Sequence, residues 1–250
     1  MDLGITGRTA LVTGASRGLG LGIAQVLARE GVRVALSSRS QERLEEAAAQ
    51  VEGETALFVA DSEDLDRMRE LPAAVEKELG PVDILVVNTG GPPAGESLDH
   101  SPEVWQAAYT TLVLAPRMLV EGALPGMRER GWGRIVNTSS VGVREPIAGL
   151  ALSNAHRKAA AGLFKSISHE VAGDGVTLNT IATGRIATDR IAELWGSIEK
   201  AEAGAKEQIP TGRLGTIEEY GDLVAFLCSD RASYLTGATI PLDGGLSRTP

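Results

Sequence analysis

The chain has 250 residues, with a net charge of −9 at pH 7, 43% hydrophobic residues and only 4% aromatic ones. This charge, with scattered arginines, argues against a nucleic-acid partner, and a single cysteine, Cys228, excludes an intramolecular disulfide and a cysteine-rich metal site. No basic segment leads into an apolar run near Met1, and no stretch reaches the roughly eighteen apolar residues of a membrane span, so we expect a cytoplasmic protein without a membrane partner.

Strand and helix signals alternate along the chain. Short apolar runs predict strands at residues 9–13, 32–36, 57–59, 84–87, 134–137, 176–181 and 238–242. Helical periodicity predicts helices at about 19–30, 41–51, 61–79, 101–130, 152–172, 191–208 and 217–229. Repeated β-α-β order requires right-handed crossovers and a parallel sheet covered on both faces. We therefore predict an α/β fold: one doubly wound Rossmann domain over residues 1–250, with a mostly parallel sheet of about seven strands.

A glycine-rich turn, Thr13-Gly14-Ala15-Ser16-Arg17-Gly18-Leu19-Gly20, joins the first strand to the first helix. Glycines allow the backbone to approach a pyrophosphate, whose charge faces the positive N-terminus of the helix. Such a turn is also consistent with a tight strand-to-helix connection that binds nothing. The candidate cofactor-binding residues here are Gly14, Ser16, Arg17, Gly18, Leu19 and Gly20.

Together with this turn, five further segments resemble, in order, the short-chain dehydrogenase/reductase family over nearly the whole chain. They are Asp61 after the third strand, Asn88-Thr89-Gly90, Asn137-Thr138-Ser139-Ser140, Thr183-Gly184-Arg185-Ile186-Ala187-Thr188, and a C-terminal signature that runs from Gly212 to Gly245. That signature is similar to the one of 3-oxoacyl-carrier-protein reductases. The resemblance implies that Asp61 and Ser62 lie at the adenine, that Asn88, Gly90, Gly184 and Thr188 bind the dinucleotide, and that a substrate lid lies near 189–210.

The end of the second strand, Leu36-Ser37-Ser38-Arg39, bears on the choice of dinucleotide. NAD-binding Rossmann proteins usually place a carboxylate there for the ribose 2′-hydroxyl, and this chain has none. Ser38, Arg39 and Arg17 suit a 2′-phosphate, because guanidinium groups bind phosphate through charge-assisted hydrogen bonds. NADP(H) is the favoured cofactor, and NAD(H) stays possible.

The resemblance implies a catalytic serine, tyrosine, lysine and asparagine, of which this chain keeps only a part. Ser140 matches the serine, and Lys158 matches the lysine, which also binds the cofactor ribose. Four residues before Lys158 lies Asn154 instead of tyrosine, and Leu112 stands where the asparagine is expected. Asparagine does not ionise. The proton would then come from water or from Tyr109, which is alternatively a packing or surface residue.

Three functions remain open at this point. The first is an NADP(H)-dependent oxidoreductase, similar to carbonyl or 3-oxoacyl-carrier-protein reductases, that acts on a small carbonyl or acyl substrate through a non-standard site. The second is a dinucleotide-binding protein without turnover, either a sensor or an inactive partner subunit. The third is an isomerase or dehydratase that uses the same cleft. The resemblance also implies a homotetramer.

Overall fold

The computed structural model describes residues 1–249, which form one parallel sheet of seven strands in the order β3-β2-β1-β4-β5-β6-β7. The strands are β1 (Thr9–Thr13), β2 (Arg33–Ser38), β3 (Thr55–Val59), β4 (Ile84–Asn88), β5 (Gly133–Thr138), β6 (Val176–Thr183) and β7 (Thr239–Leu242). The strand order reverses between β1 and β4. In open α/β sheets, the carboxyl ends of the strands at such a point border a ligand crevice.

Helices cover both faces of this sheet. They are α1 (Gly18–Arg29), α2 (Gln41–Ala48), α3 (Leu65–Leu79), α4 (Pro102–Tyr109), α5 (Ala115–Glu129), α6 (Ala151–Val171), α7 (Asp189–Trp195), α8 (Ile198–Gln208) and α9 (Ile217–Leu227). Leu27 of α1 and Val224 of α9 are buried in the core on one face. Leu71 of α3 and Phe164 of α6 are buried on the other. The predicted α/β fold with a parallel sheet of seven strands is confirmed.

Two predicted helices are divided. The segment expected as one helix over 101–130 is α4, a single π-helical turn at Thr110–Leu114, and then α5, which has Pro116 in its first turn. The single helix expected at 191–208 is instead two helices, α7 and α8. They separate at Gly196, whose φ of 83° lies in the left-handed region that favours glycine. None of the helices within residues 1–249 combines the length and the hydropathy needed to cross a bilayer.

Candidate active site

The carboxyl ends of five neighbouring strands open into a cleft of about 1030 Å³. Thr13, Ser38, Asn88, Thr138 and Thr183 mark the last residues of β1, β2, β4, β5 and β6, and each lines this cleft. Parallel strands present their carboxyl ends on one edge of the sheet, so that polar residues far apart in sequence meet there.

The glycine-rich turn forms one wall of the cleft, through Gly14, Ser16, Arg17, Gly18 and Leu19. No side chain caps α1, and its first turn holds no acidic residue. The unpaired N–H groups and the positive end of the helix are therefore available to an anion, which fits the pyrophosphate of a dinucleotide.

Gly20 has a different place from the one predicted. It does not line the cleft but lies behind the turn, where an added Cβ would collide with the Gly14 carbonyl oxygen. Asn88 braces the same turn, because its Nδ2 donates a hydrogen bond to that carbonyl oxygen at 3.2 Å. Gly20 and Asn88 together hold the shape of the turn.

Arginines surround the cleft at the end of β2. Arg39 and Arg43 line this region, and no acidic side chain within residues 1–249 forms an ion pair with either. Arg17 lies 3.4 Å from the carboxylate of Asp189, and both side chains are more than half exposed. The surface here is positive and fits a phosphate group.

Of the two residues predicted to lie at the adenine, only one lines the cleft. Ser62 lines the cleft, whereas Asp61 does not. Instead, the Asp61 carboxylate accepts a hydrogen bond from the Glu63 backbone N–H at 3.0 Å, which shapes the loop before α3. Of the residues predicted for the nicotinamide half, Asn88, Gly90, Gly184 and Thr188 line the cleft.

The structure corrects the expected positions on α6. Ser153 and Arg157 line the cleft, whereas Lys158 is exposed outside it. Asn154 also points elsewhere: its amide accepts from the Ile147 backbone N–H at 3.1 Å and donates to the Ile147 carbonyl at 2.8 Å. The physical reason is helical geometry, since successive residues differ by about 100° around the axis, and a shift of one position turns the pair away.

Tyr109 is also outside the cleft. It is 39% exposed on α4, and its ring lies 6.2 Å from that of His156, a buried residue of α6 that does not line the cleft either. This position does not support Tyr109 as the alternative proton donor, because Tyr109 does not line the cleft.

Ser140, Ser153 and Arg157 gather near the end of β5. The Ser140 hydroxyl accepts a hydrogen bond from the Gly142 N–H at 3.1 Å, which leaves its own hydrogen free to donate. Arg157 donates to the carbonyl oxygens of Thr138 at 2.9 Å and Gly90 at 3.3 Å. Burial lowers the pKa of Arg157 to about 10, so this group remains a cation at neutral pH.

A buried tyrosine supports this region from behind. Tyr220 of α9 is fully buried and does not line the cleft, and its hydroxyl lies 2.9 Å from the Thr183 hydroxyl. Burial raises the pKa of Tyr220 to about 12, so it stays neutral and acts as a hydrogen-bond partner. No tyrosine, lysine or histidine lines the cleft within residues 1–249.

The remaining wall is formed by residues between 183 and 195, which are the end of β6, the loop after it and α7. Arg185 stacks over the Trp195 ring at 4.5 Å and donates to Gln208 at 2.6 Å, and Arg190 donates to the Pro92 carbonyl at 3.0 Å. Sequence reasoning missed Arg43, Ser153, Arg157, Arg185 and Arg190 as lining residues. The four-residue spacing of Ser153 and Arg157 places them on one face of α6, but Asn154 and Lys158 have the same spacing, so this signal does not tell the two pairs apart.

Comparison with known proteins identifies the family. A family model described as "Enoyl-(Acyl carrier protein) reductase" matches residues 14–247. The human "Dehydrogenase/reductase SDR family member 4" is 36% identical over 248 residues, which cover 96% of this chain and 88% of that protein. The chain belongs to the short-chain dehydrogenase/reductase family. It is accordingly an oxidoreductase by family.

Two solved structures are similar over nearly their whole length. The L-sorbose reductase from Gluconobacter frateurii, solved with NADPH and L-sorbose, has a TM-score of 0.93 at 32% identity, with 100% of both chains covered. YwfH, an NADPH-dependent reductase involved in bacilysin biosynthesis, has a TM-score of 0.91 at 29% identity, with 97% of this chain and 99% of that chain covered.

Proposed function

We propose that this chain is an NADP(H)-dependent reductase of a small carbonyl compound, in which Ser140, Ser153 and Arg157 bind the reacting oxygen. The observation that carries this proposal is that two serines and a half-buried guanidinium line one end of a cleft whose other end holds Arg39 and Arg43. The likeness to reductases solved or described with NADPH supports the same function.

The lining of the cleft supports the following assignment of cofactor-binding residues. The turn from Gly14 to Leu19 would hold the pyrophosphate, and Arg17, Ser38, Arg39 and Arg43 the 2′-phosphate. Ser62 would border the adenine. Asn88, Gly90, Arg157, Gly184 and Thr188 would surround the nicotinamide half. When bound, NADPH supplies a hydride to an electrophilic carbon of the substrate.

The protein's part in the reaction is electrostatic. The Ser140 and Ser153 hydroxyls would donate hydrogen bonds to the substrate oxygen, and Arg157 would oppose the negative charge that develops on it. Arg157 has five N–H donors, and the two carbonyl contacts leave others free for the oxygen or a ribose hydroxyl.

The proton would come from water in the open cleft, because neither serine nor the guanidinium ionises usefully near neutral pH. General acid catalysis typically contributes about 10²–10⁴-fold, so we expect turnover to be slow on unactivated ketones. Ser153 and Arg157 would occupy the positions of the family's tyrosine and lysine, which the sequence analysis assigns to Asn154 and Lys158 with the same four-residue spacing.

The residue types that line the cleft favour a second candidate function. Because no tyrosine, lysine or histidine lines the cleft within residues 1–249, the chain would also suit binding of a dinucleotide without turnover. The two functions differ in whether the two serines affect the oxidation of NADPH by a carbonyl compound.

The test is an assay of NADPH oxidation against a panel of ketones, with NADPH binding measured separately by fluorescence. We expect Ser140→Ala and Ser153→Ala each to lower kcat/KM at least tenfold, the scale of one lost hydrogen bond to a charged group, with NADPH affinity unchanged. Ser166→Ala, an exposed serine on the same helix, is the matched control. Turnover equal to wild type in both serine variants would overturn the proposed roles, and binding without any turnover would establish the second function.

A further inference from the structure

Three arginines converge on the lid end of the cleft: Arg157, Arg185 and Arg190, here called the arginine cluster. Arg157 and Arg190 hold the same loop, through the carbonyl oxygens of Gly90 and Pro92. They lie close enough for the charge of Arg190 to help lower the pKa of Arg157. Two cations therefore approach each other with backbone carbonyls as their main partners.

Carboxylates do not balance this charge. Within residues 1–249 the one ion pair of the cluster joins Arg190 to Glu193 at 3.5 Å, and these side chains are 41% and 52% exposed. The Nη1 of Arg185 is buried without a hydrogen-bond partner, although the same guanidinium donates to Gln208. A buried, unpaired guanidinium nitrogen is unfavourable unless a ligand completes its hydrogen bonds.

We propose that the substrate of this cleft is a free oxo acid, whose carboxylate is bound by Arg185 and Arg190 while its carbonyl oxygen meets Ser140, Ser153 and Arg157. This inference rests on the proposed reductase function. The nearness of Arg190 to Arg157 suits a carbonyl and a carboxylate that lie within a few bonds of each other. Guanidinium groups bind carboxylates through paired, charge-assisted hydrogen bonds.

The other residues at this end of the cleft bear on the side chain of the proposed oxo acid. Besides polar residues such as Glu193 and Ser247, the lining includes five large apolar side chains: Ile147, Leu150, Leu194, Trp195 and Leu246. These side chains would cover a hydrocarbon or aromatic body and shield the arginine cluster from water. A thioester on a carrier protein offers no free carboxylate to the cluster, so the inference favours a free acid over the carrier-bound substrate in the family model's description.

The experiment measures binding in complexes that do not turn over. Protein saturated with NADP⁺ is titrated by calorimetry with 2-oxo-4-phenylbutanoate and with its uncharged ethyl ester. We expect the acid to bind at least tenfold more tightly than the ester. In Arg185→Gln/Arg190→Gln that preference should disappear, whereas Arg190→Lys, which keeps the charge, should retain part of it.

Arg29→Gln is the matched control, because Arg29 is an exposed arginine on α1 that pairs with Glu218 outside the cleft. Equal binding of acid and ester by wild type, or an acid preference that survives in the double variant, would overturn the inference. So would a loss of NADP⁺ affinity in the double variant equal to its loss of acid affinity, since the cluster would then serve the cofactor.

NADPH oxidation with both probes separates this inference from the proposed function. Reduction of acid and ester at equal kcat/KM would leave the reductase standing and refute the carboxylate site. Arginine-dependent binding of the acid without any NADPH oxidation would support the carboxylate site and refute the reductase.

Discussion

Arg157 places a positive charge and several hydrogen-bond donors at the candidate active site. Its guanidinium is half-buried, and although desolvation lowers its pKa to about 10, the group stays charged across the physiological range. It stabilises negative charge, but it does not deliver a proton near neutral pH. Five fixed N–H donors in a planar group also make it a precise anchor for the Gly90 and Thr138 carbonyls. These properties support the proposal that the site binds an oxygen anion and that the proton comes from solvent.

The rotation of α6 leads to a direct comparison of neighbouring residues. We expect Lys158→Ala to leave NADPH affinity within about twofold of wild type, because an exposed lysine contributes little. Arg157→Ala should weaken NADPH binding about tenfold or more, the scale of a lost charged hydrogen bond. Fluorescence titration measures both. A larger effect of Lys158→Ala than of Arg157→Ala would contradict the orientation of α6 described here.

Local signals explain what the sequence alone could predict. Thr9–Thr13 is a short apolar run that ends before a glycine, which predicts the first strand of the fold. Gly14 and Gly18 adopt positive φ angles that few other residues adopt, so the glycine-rich turn could also be predicted from the sequence. The pair on α6 that lines the cleft was not predicted, because Asn154 and Lys158 have the same four-residue spacing as Ser153 and Arg157 and were matched to the family instead. Arg185 and Arg190 carry no local signal, because only the fold brings them to partners such as Gln208 and Pro92.

At the scale of elements, α9 connects the C-terminal part of the chain to the site. Thr216 and Glu219 form a capping box at its start, in which Thr216 Oγ1 accepts from the Glu219 N–H and the Glu219 carboxylate accepts from the Thr216 N–H. The next residue is Tyr220, whose hydroxyl meets Thr183 in the cleft wall. The start of α9 thus fixes the depth at which the tyrosine supports β6.

The capping box predicts a pH-dependent contribution to stability. Hydrogen bonds from Arg213 and from the Thr216 backbone lower the pKa of Glu219 to about 2. A lowered carboxyl pKa adds stability above the unfolded value of about 4.3, and this stability is lost as the pH falls toward 2. The group is exposed and screened, so Glu219→Gln should cost only about 0.5–1 kcal/mol at neutral pH.

Denaturant unfolding at pH 7 and near pH 3 measures this difference, which should shrink in acid. Glu218→Gln, at the neighbouring exposed position, is the control, because Glu218 pairs with Arg29 but takes no part in the cap. A cost of Glu219→Gln that stays constant between the two pH values would show that the carboxylate charge does not act through the cap.

For the whole molecule, the distribution of charge matters more than its sum. The chain carries a net charge of −9, yet six arginines and only three carboxylates line the cleft. The outer surface is therefore more acidic than the total suggests, and the cleft is a positive region within it. Such an arrangement concentrates anionic ligands at the site and suits a phosphorylated dinucleotide. The homotetramer implied by the family resemblance stays a prediction.

The positive cleft predicts the choice of cofactor and its salt dependence. Arg39 and Arg43 lack acidic partners within residues 1–249, so a 2′-phosphate would meet two free guanidinium groups. We expect NADPH to bind more tightly than NADH. In Arg39→Gln/Arg43→Gln, NADPH binding should weaken about tenfold or more, while NADH affinity stays within about twofold of wild type.

The preference of wild type for NADPH over NADH should also decrease as the salt concentration rises, because the screening length falls from about 10 Å at 0.1 M to about 3 Å at 1 M. Fluorescence titration of both cofactors at two salt concentrations measures this, with Arg29→Gln as the control. Tighter binding of NADH than NADPH by wild type would refute the assignment of Arg39 and Arg43 to the 2′-phosphate.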